Sequence, residues 1–256
     1  MAVESPKHIP GLLSADDRDR HAITAGLRAN EELIFKFAKA WYASNYTFRA
    51  TTVLGYPACK IPLDLWIMHD LFCQYRFVHV IETGTAGGGT TLWYAMLMDM
   101  LGIEGGRIWS IDVDDAPEGA LRPEHPRITY VKGSSTDLAI VESITNKIRF
   151  RRGHFAGATL VNLDSSHFAT HVVEELRVWA PLLEVNDWFV VEDTNGVPVM
   201  DDPRTGTQVE VEGPFAAVME FMAKHPGEFS REVVCERYWL TMCPHGFLQR
   251  HARCDH

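Results

Sequence analysis

The stretch VNLDSSHFATHVVEEL, residues 161–176, brings a carboxylate and an imidazole to the end of an apolar run. Asp164 ends the run, and His167 follows three residues later, in what the pattern predicts to be the first turn of a helix. Further along the chain, Glu192 and Asp193 end a second apolar run, DWFVVED. If the two runs are neighbouring strands, these four side chains meet at one edge of a sheet.

Three carboxylates in one place repel one another unless a cation lies between them. Oxygen ligands with room for water are those that Mg²⁺ prefers, so Asp164, Glu192 and Asp193 are predicted metal ligands. A neutral imidazole beside such a site is a suitable general base near neutral pH, so the predicted catalytic residues are His167 and, with it, Asp164. For an isolated pair we would favour the alternative, in which Asp164 and Ser165 cap a helix and His167 is a surface residue.

A glycine-rich turn lies in VIETGTAGGGTTL, residues 80–92, between a predicted strand and a predicted helix. Its backbone can approach a ligand closely, and the helix N-terminus offers free N–H donors. A Walker A loop would need lysine where Thr90 stands, which argues against an ATPase. A dinucleotide fingerprint would set the Glu82 carboxylate against a pyrophosphate, so the turn better suits a positively charged ligand. A turn that requires only small residues remains an alternative.

Polar residues also follow the next two predicted strands. Asp112 ends RIWSID, where an acidic side chain can accept hydrogen bonds from ribose hydroxyls, although a solvated acidic turn is the alternative. Ser134 and Ser135 follow the third strand in VKGSSTD. They could contact a nucleoside base, and they could equally cap the following helix.

The elements that must position these residues alternate between strand and helix. Short β-rich runs, FVHVIET, RIWSID, RITYV, ATLVNLD and DWFVVED, are separated by helical segments, which predicts a mostly parallel sheet covered on both faces. REVVCERYWLTMCPHGFLQR predicts two further strands, one antiparallel. Residues 1–70 are predicted to be an N-terminal helical extension, a lid or an oligomer contact, and residues 71–256 one α/β domain.

The composition limits the class of protein. The 256 residues are 46% hydrophobic, enough for a sizeable core, and the net charge of −10 without a basic stripe argues against nucleic-acid partners. No apolar run is long enough for a membrane helix, and the polar start does not resemble a secretory signal, so we expect no membrane contact and a cytoplasmic location. Five dispersed cysteines without a CxxC pair predict neither a disulfide framework nor a zinc site.

Taken together, VIETGTAGGGTTLWYA, SIDVDD, VKGSSTD, VNLDSSHFATHVVEEL, WFVVEDTNG and LTMCPHGFLQR resemble one family of S-adenosylmethionine-dependent methyltransferases. This family includes rhamnosyl O-methyltransferases and the cephalosporin 7-methoxylation protein. Macrocin-type sugar O-methyltransferases and catechol O-methyltransferase are more distantly similar. The resemblance implies a Rossmann-like class I methyltransferase fold, α/β, with a mostly parallel seven-stranded sheet whose last strand is reversed.

The resemblance also implies roles for the residues above. Asp112 would bind the ribose of S-adenosylmethionine, Ser134 or Ser135 would lie near its adenine, and Asp164 would lie near the cofactor as well as the metal. The methionine part of the cofactor would be held by the glycine-rich turn, namely by Glu82, Gly84, Thr85, Gly88 and Thr90. Catechol-type enzymes use asparagine and lysine where this chain has Asp193 and His167, which points to the sugar-modifying branch.

The expected function is Mg²⁺-dependent methylation of a hydroxyl on a rhamnose-like deoxysugar, nucleotide-linked or on a natural product, in secondary (antibiotic) metabolism. The polar, proline-containing residues 194–214 are the predicted substrate loop. A homo-oligomer is expected from related sugar-modifying enzymes. The alternatives are methylation or methoxylation of a non-sugar antibiotic scaffold, a non-catalytic nucleoside-binding scaffold protein, and an NAD-dependent dehydrogenase.

Overall fold

The structure, a computed structural model, describes residues 15–116, 121–196, 199–201 and 208–251. The helices of these ranges are α1 (Asp17–Ala29), α2 (Glu31–Ala43), α3 (Asn45–Ala50), α4 (Pro62–Tyr75), α5 (Gly89–Met100), α6 (Leu138–Arg152), α7 (Ala169–Trp179) and α8 (Pro214–Lys224). The strands are β1 (Thr52–Val53), β2 (Tyr56–Pro57), β3 (His79–Thr83), β4 (Arg107–Asp112), β5 (Ile128–Lys132), β6 (Thr159–Leu163), β7 (Trp188–Val191), β8 (Val199–Asp201), β9 (Gln208–Glu210), β10 (Phe229–Arg231) and β11 (Phe247–Arg250).

A seven-stranded sheet in the order β10-β11-β7-β6-β3-β4-β5 forms the centre of the molecule. Strands β3 to β7 are parallel, whereas β11 is antiparallel to both β7 and β10. Every residue of β3, β6 and β7 is buried, as expected for short apolar strands with helices on both faces. The predicted fold class, a mostly parallel seven-stranded sheet with a reversed last strand, is confirmed.

Two hydrophobic clusters, one including residues of α6, α7 and α8 and the other residues of α4 and α5, hold the sheet. Trp179 belongs to the first cluster and Trp188 and Tyr94 to the second, and all three are fully buried. Burial of one large apolar side chain contributes about 2–3 kcal/mol, so these clusters fix the strands, and with them the residues at the strand ends.

The strand order changes direction at β3, which has β4 on one side and β6 on the other. In open parallel sheets the crevice at such a point, beyond the carboxyl ends of the strands, is where ligands bind. Thr83 is paired with Leu163, and Leu163 with Val191, so β3, β6 and β7 end side by side. The residues that follow them are therefore neighbours.

The N-terminal helices pack against the C-terminal part of the chain: Arg20 on α1 forms an ion pair of 2.8 Å with Glu232. The division at residue 70 remains a prediction, and it falls within α4, whose buried apolar residues belong to the same hydrophobic cluster as Phe77. No described helix is long and apolar enough to cross a membrane.

The C-terminal stretch differs in part from expectation. The antiparallel strand is present as β11, but Val233–Glu236, expected to be part of a strand, form a 3₁₀ turn. Val234, Cys235 and Glu236 are buried in that turn, and the strand paired with β11 is β10, which begins before the expected segment. Burial of these side chains in a turn is a tertiary effect that their β-propensity does not reveal.

Candidate active site

The carboxyl ends of β3, β6 and β7 place the predicted acidic residues at one edge of the sheet. The sheet-type hydrogen bonding continues just past the strands, because Asp164 N donates to Thr83 O at 3.0 Å and Glu192 N donates to Leu163 O at 2.9 Å. Asp193 follows with a left-handed backbone, φ 53°. Such a φ is uncommon outside glycine, but aspartate adopts it more readily than most residues, and here it turns the chain sharply after β7.

His167 faces two of the predicted metal ligands. Its Nε2 lies 3.1 Å from Asp193 Oδ2 and 3.7 Å from Asp164 Oδ1. The three side chains offer ligand atoms within 4.8 Å of one another, close enough to hold one metal ion. The structure thus brings the predicted base together with Asp164 and Asp193.

Glu192 is placed differently. Its buried carboxylate accepts a hydrogen bond of 2.8 Å from the Cys243 thiol through Oε2, and its Oε1 lies 3.1 Å from Lys60 Nζ. Its ligand atoms group with those of Asp64 and Cys243 rather than with those of His167. The three-carboxylate metal set therefore remains a prediction for Glu192, and the thiol of Cys243 contacts this carboxylate.

Lys60 is the residue that sequence reasoning missed. Its ammonium forms ion pairs with both Asp164 and Glu192, and the side chain is only 5% exposed. Burial alone would lower the pKa of Lys60, but the carboxylates of Asp164, Glu192 and Asp193 raise it well above its usual value. Lysine is almost never fully buried unless it is paired, so a lysine within the apolar segment YPACKIPL was a signal that could have been used.

The charges around His167 favour its protonated form. The carboxylates of Asp164 and Asp193 raise the pKa of His167 to about 9, against the opposing effect of burial. Burial would raise the pKa of Asp164, but Lys60 and His167 lower it. Burial raises the pKa of Glu192, in spite of the nearby Lys60.

The glycine-rich turn packs directly on the carboxylate edge. Gly84 has φ 82°, and a Cβ there would overlap the carbonyl oxygen of Asp164. Gly88, φ 75°, is the N-cap of α5. Ala86 N donates a hydrogen bond of 2.9 Å to Asp112 Oδ2, which also accepts one of 3.1 Å from Arg122. The turn, β4 and β6 thus form one connected structure.

Glu82 lies beneath this turn, 2% exposed. Its Oε2 accepts hydrogen bonds from Thr91 and, at 2.6 Å, from Ser110, whose hydroxyl also lies 2.6 Å from Thr85 Oγ1. Burial raises the pKa of Glu82 to about 7. The carboxylate therefore supports the turn from below, and its role as a cofactor contact remains a prediction.

The segment before α4 covers the start of α5. A Cβ on Gly89 would lie 2.5 Å from the carbonyl oxygens of Tyr56 and of Pro57, and Thr90 donates a hydrogen bond of 3.2 Å to Ala58 O. Carbonyl oxygens here leave little room for a phosphate and would repel one. This supports the argument against an ATP or dinucleotide site.

Two cavities meet at His167. One, of about 470 Å³, is lined by residues of the glycine-rich turn and of the neighbouring strand ends, among them Gly84, Thr85, Thr90, Asp112, Ser134, Ser135 and Asp164. The other, of about 1090 Å³, lies between α1, α2 and the C-terminal segment. His167 and Asp193 line both. His171 also lines the smaller cavity, with Nε2 3.2 Å from Ser135 Oγ.

Residues 45–251 match the family model described as rhamnosyl O-methyltransferase/CmcI. The chain belongs to the rhamnosyl O-methyltransferase/CmcI family. The predicted family is thereby confirmed, and with it the predicted enzyme class, an O-methyltransferase.

Curated members of this family are similar over most of their length. The rhamnosyl O-methyltransferase of Mycobacterium leprae is 31% identical over 215 residues, which is 82% of this chain and 87% of the relative. That of Mycobacterium tuberculosis strain H37Rv is 31% identical over 216 residues, 82% of each chain.

Solved structures of CmcI share the fold. The apo structure has a TM-score of 0.58 at 21% identity, and the complex with Mg and SAM has 0.58 at 20% identity. Each comparison covers 80% of this chain and 78% of the other. At this level of identity the likeness supports the family's fold for this chain.

Proposed function

We propose that this protein transfers the methyl group of S-adenosylmethionine to a hydroxyl of a rhamnose-like deoxysugar in a Mg²⁺-dependent reaction. The observation that carries the proposal is the position of His167 and Asp193, which line both cavities. A base and a metal ligand at the junction of two cavities suit a reaction between two separately bound molecules.

The smaller cavity suits S-adenosylmethionine by size and charge. At about 470 Å³ it lies within the range of ligand pockets, and Asp112, Asp114, Asp164 and Asp193 line it. An acidic lining favours a sulfonium cation over a phosphate. We assign the methionine part to Gly84, Thr85, Gly88 and Thr90 of the turn, the ribose to Asp112 and the adenine to the neighbourhood of Ser134 and Ser135. The CmcI complex with Mg and SAM supports this choice of cofactor.

The carboxylates suit a hard divalent cation. Asp164 and Asp193 converge beside His167, and carboxylate oxygen is the ligand type that Mg²⁺ prefers. Glu192 is proposed as the third ligand. To bind the cation, its carboxylate would have to give up its contact with Lys60 or with Cys243. Held by these carboxylates, Mg²⁺ would supply Lewis-acid chemistry that lowers the pKa of an acceptor hydroxyl.

His167 is proposed to remove the proton from the acceptor hydroxyl as the methyl group moves from sulfur to oxygen. In the protein without a bound metal ion, the pKa of about 9 leaves its imidazole protonated at neutral pH, and a protonated imidazole cannot accept a proton. Engagement of Asp164 and Asp193 with a cation would leave less negative charge facing the ring, and its pKa would fall. Binding of the cation and deprotonation of the His167 imidazole are thus linked.

The larger cavity is proposed to hold the acceptor. A vicinal diol suits two-oxygen binding at a metal, which favours a rhamnose-like sugar, either nucleotide-linked or attached to a natural product. The predicted substrate loop, residues 194–214, lies partly outside the described residues; Asn195, Gly196 and Glu210 line this cavity. A role in antibiotic metabolism, a cytoplasmic location and a homo-oligomer remain predictions.

Calorimetric titration with S-adenosylmethionine and S-adenosylhomocysteine, with and without Mg²⁺, tests the cofactor assignment. We expect the wild type to bind both, and we expect the heat of Mg²⁺ binding to disappear in Asp164→Ala. If neither nucleoside binds, the assignment of the turn is wrong, and a scaffold protein or a dehydrogenase becomes the better hypothesis; adding NADH separates these two.

Mass-spectrometric assay of the purified chain with nucleotide-linked rhamnose, simple rhamnosides and non-sugar diols tests the acceptor. We expect methylation of a rhamnoside and a loss of roughly 10²–10⁴-fold in kcat for His167→Ala, with binding of S-adenosylmethionine little changed. His154→Ala is the control, since His154 is exposed and lines neither cavity. Full activity of His167→Ala would exclude it as the base, and turnover only of non-sugar diols would favour the antibiotic-scaffold alternative.

A further inference from the structure

Lys60 occupies a position between two predicted metal ligands. Its ammonium contacts Asp164 Oδ2 and lies 3.1 Å from Glu192 Oε1, although 104 residues separate Lys60 from Asp164 along the chain. The buried lysine thus comes from the segment that covers the glycine-rich turn, whereas both carboxylates come from the ends of β6 and β7.

The oxygen atoms of Glu192 are both engaged. Oε1 faces Lys60, and Oε2 accepts the Cys243 hydrogen bond. Asp164 has Oδ2 directed at Lys60 and Oδ1 directed at His167. A divalent ion shared by Asp164 and Glu192 would need oxygens that now hold the ammonium, and two cations side by side in a buried site repel strongly.

We propose that Lys60 is a built-in counter-ion of the carboxylate edge, whose ammonium holds Asp164 and Glu192 together in the ion-free protein and leaves when a divalent cation binds them. This inference rests on the proposed metal site. It makes Lys60 a positioning residue that lowers the affinity for the cation while it stabilises the ion-free fold.

The contact of Lys60 with the carboxylates also connects the proposed metal site with the glycine-rich turn. Ala58 accepts the hydrogen bond from Thr90, and Pro57 packs against Gly87 and Gly89. Lys60 follows within the same short segment, with Cys59 in a left-handed conformation, φ 51°. Release of the ammonium would therefore loosen the segment that lies over the turn.

Titration with Mn²⁺, followed by electron paramagnetic resonance and by thermal melting, tests the proposal without a turnover measurement. In Lys60→Met the competing charge is absent, so we expect the Mn²⁺ dissociation constant to fall at least tenfold. We expect a lower melting temperature than that of the wild type in EDTA, and a larger rise on adding Mn²⁺. An unchanged or weaker affinity in a folded Lys60→Met would overturn the proposal.

Two further variants keep the test decisive. Lys60→Arg keeps the charge, and its planar guanidinium can hold both carboxylates at once, so we expect weaker Mn²⁺ binding than in the wild type, also by at least tenfold. This expectation stands even if Lys60→Met does not fold; equal or tighter binding by Lys60→Arg overturns the proposal. Lys132→Met, an exposed lysine on β5, is the matched control for loss of one charge, and its Mn²⁺ affinity should not change.

A separate result would contradict the metal site itself. If wild type and Asp193→Ala bind Mn²⁺ with equal affinity, the ion lies elsewhere and both the proposed function and the role of Lys60 fail. If binding is lost in Asp193→Ala but Lys60→Met does not tighten it, the metal site stands and only the counter-ion role is wrong.

Discussion

Strands β6 and β7 carry a charged cluster at each end, and the two clusters are built in opposite ways. At the amino end, one arginine is shared by two carboxylates: Arg152 pairs with the buried Asp187 and, at 2.7 Å, with the exposed Glu184. At the carboxyl end, Asp164, Glu192 and Asp193 share Lys60 and His167. Because Glu184 is exposed, the buried part of the first cluster is one carboxylate with one arginine, whereas at the carboxyl end three mostly buried carboxylates share two cationic side chains.

The amino-end cluster also satisfies the backbone. Asp187 Oδ1 accepts from Thr159 N at 2.7 Å, and Oδ2 accepts from Glu184 N at 2.7 Å as well as from Arg152. Burial raises the pKa of Asp187 to about 6, while Arg152 acts in the opposite direction, so the group is ionised at neutral pH. Every oxygen of this buried carboxylate has a partner, which is what a structural ion pair requires.

The difference separates a structural cluster from a functional one. Loss of a group from a completed buried network leaves its partners unsatisfied, so we expect it to reduce stability regardless of any added ion. Removal of one carboxylate from a cluster in which carboxylates outnumber cations relieves repulsion. We therefore expect a small effect on the stability of the ion-free protein and a large effect on its affinity for a cation. Asp187→Ala and Asp193→Asn test this distinction, and His79, beside Thr159 at the amino end, adds a test by pH.

The largest expected effect on stability is that of Asp187→Ala. The change leaves Arg152 and the N–H groups of Thr159 and Glu184 without their carboxylate, and removal of one partner from a buried ion pair typically costs about 3–5 kcal/mol. Melting temperature should fall by roughly 10 °C, equally in EDTA and in Mg²⁺. Glu184→Ala removes the exposed partner of the same arginine and should change stability by less than about 1 kcal/mol. Equal losses of stability in Asp187→Ala and Glu184→Ala would contradict the structural role of the buried ion pair.

A pH effect of intermediate size is expected from His79, the first residue of β3, beside Thr159. It is buried, neither ring nitrogen has a described hydrogen-bond partner, and burial together with Arg151 and Arg152 lowers its pKa to about 4. Between about pH 6.5 and pH 4 the unfolded chain binds a proton at this histidine that the folded chain does not, so stability falls as the pH falls.

Urea unfolding at pH 7 and pH 4.5 measures this effect. The loss of unfolding free energy between the two pH values should be roughly 2–3 kcal/mol smaller in His79→Leu than in the wild type. His154→Leu, at an exposed position, is the control and should keep the wild-type difference. If His79→Leu and the wild type lose the same free energy, the ring is not neutral in the folded protein.

The smallest effect on the ion-free protein is expected from Asp193→Asn at the carboxyl end. The lost attraction to His167 is offset by relief of the repulsion between Asp193 and the other carboxylates, so the melting temperature in EDTA should change little. The stabilisation by Mg²⁺ should be largely lost. If Asp193→Asn lowers the melting temperature in EDTA as much as Asp187→Ala does, the stability of the carboxyl-end cluster depends on complete pairing as much as that of the amino-end cluster.

The family and the fold class were accessible from the sequence, because short apolar runs alternating with amphipathic helices allow few arrangements, and because the motifs at the strand ends occur in the family's order. Asp164, His167, Glu192 and Asp193 were predicted to meet, and they lie at one edge. That prediction needed only the rule that parallel strands bring their carboxyl ends together.

Other features depended on tertiary structure. No local pattern shows that Lys60 reaches Asp164 and Glu192 from a distant segment, that Glu82 is held below its turn by Ser110, or that Val233–Glu236 form a turn. These are contacts between residues far apart in the chain, or results of burial that propensity does not encode. The sequence by itself determined which chemical groups stand at the strand ends, through their types and spacing. Only the folded chain decided which of those groups face a cavity and which face another side chain, because packing sets the distance and direction of each charge.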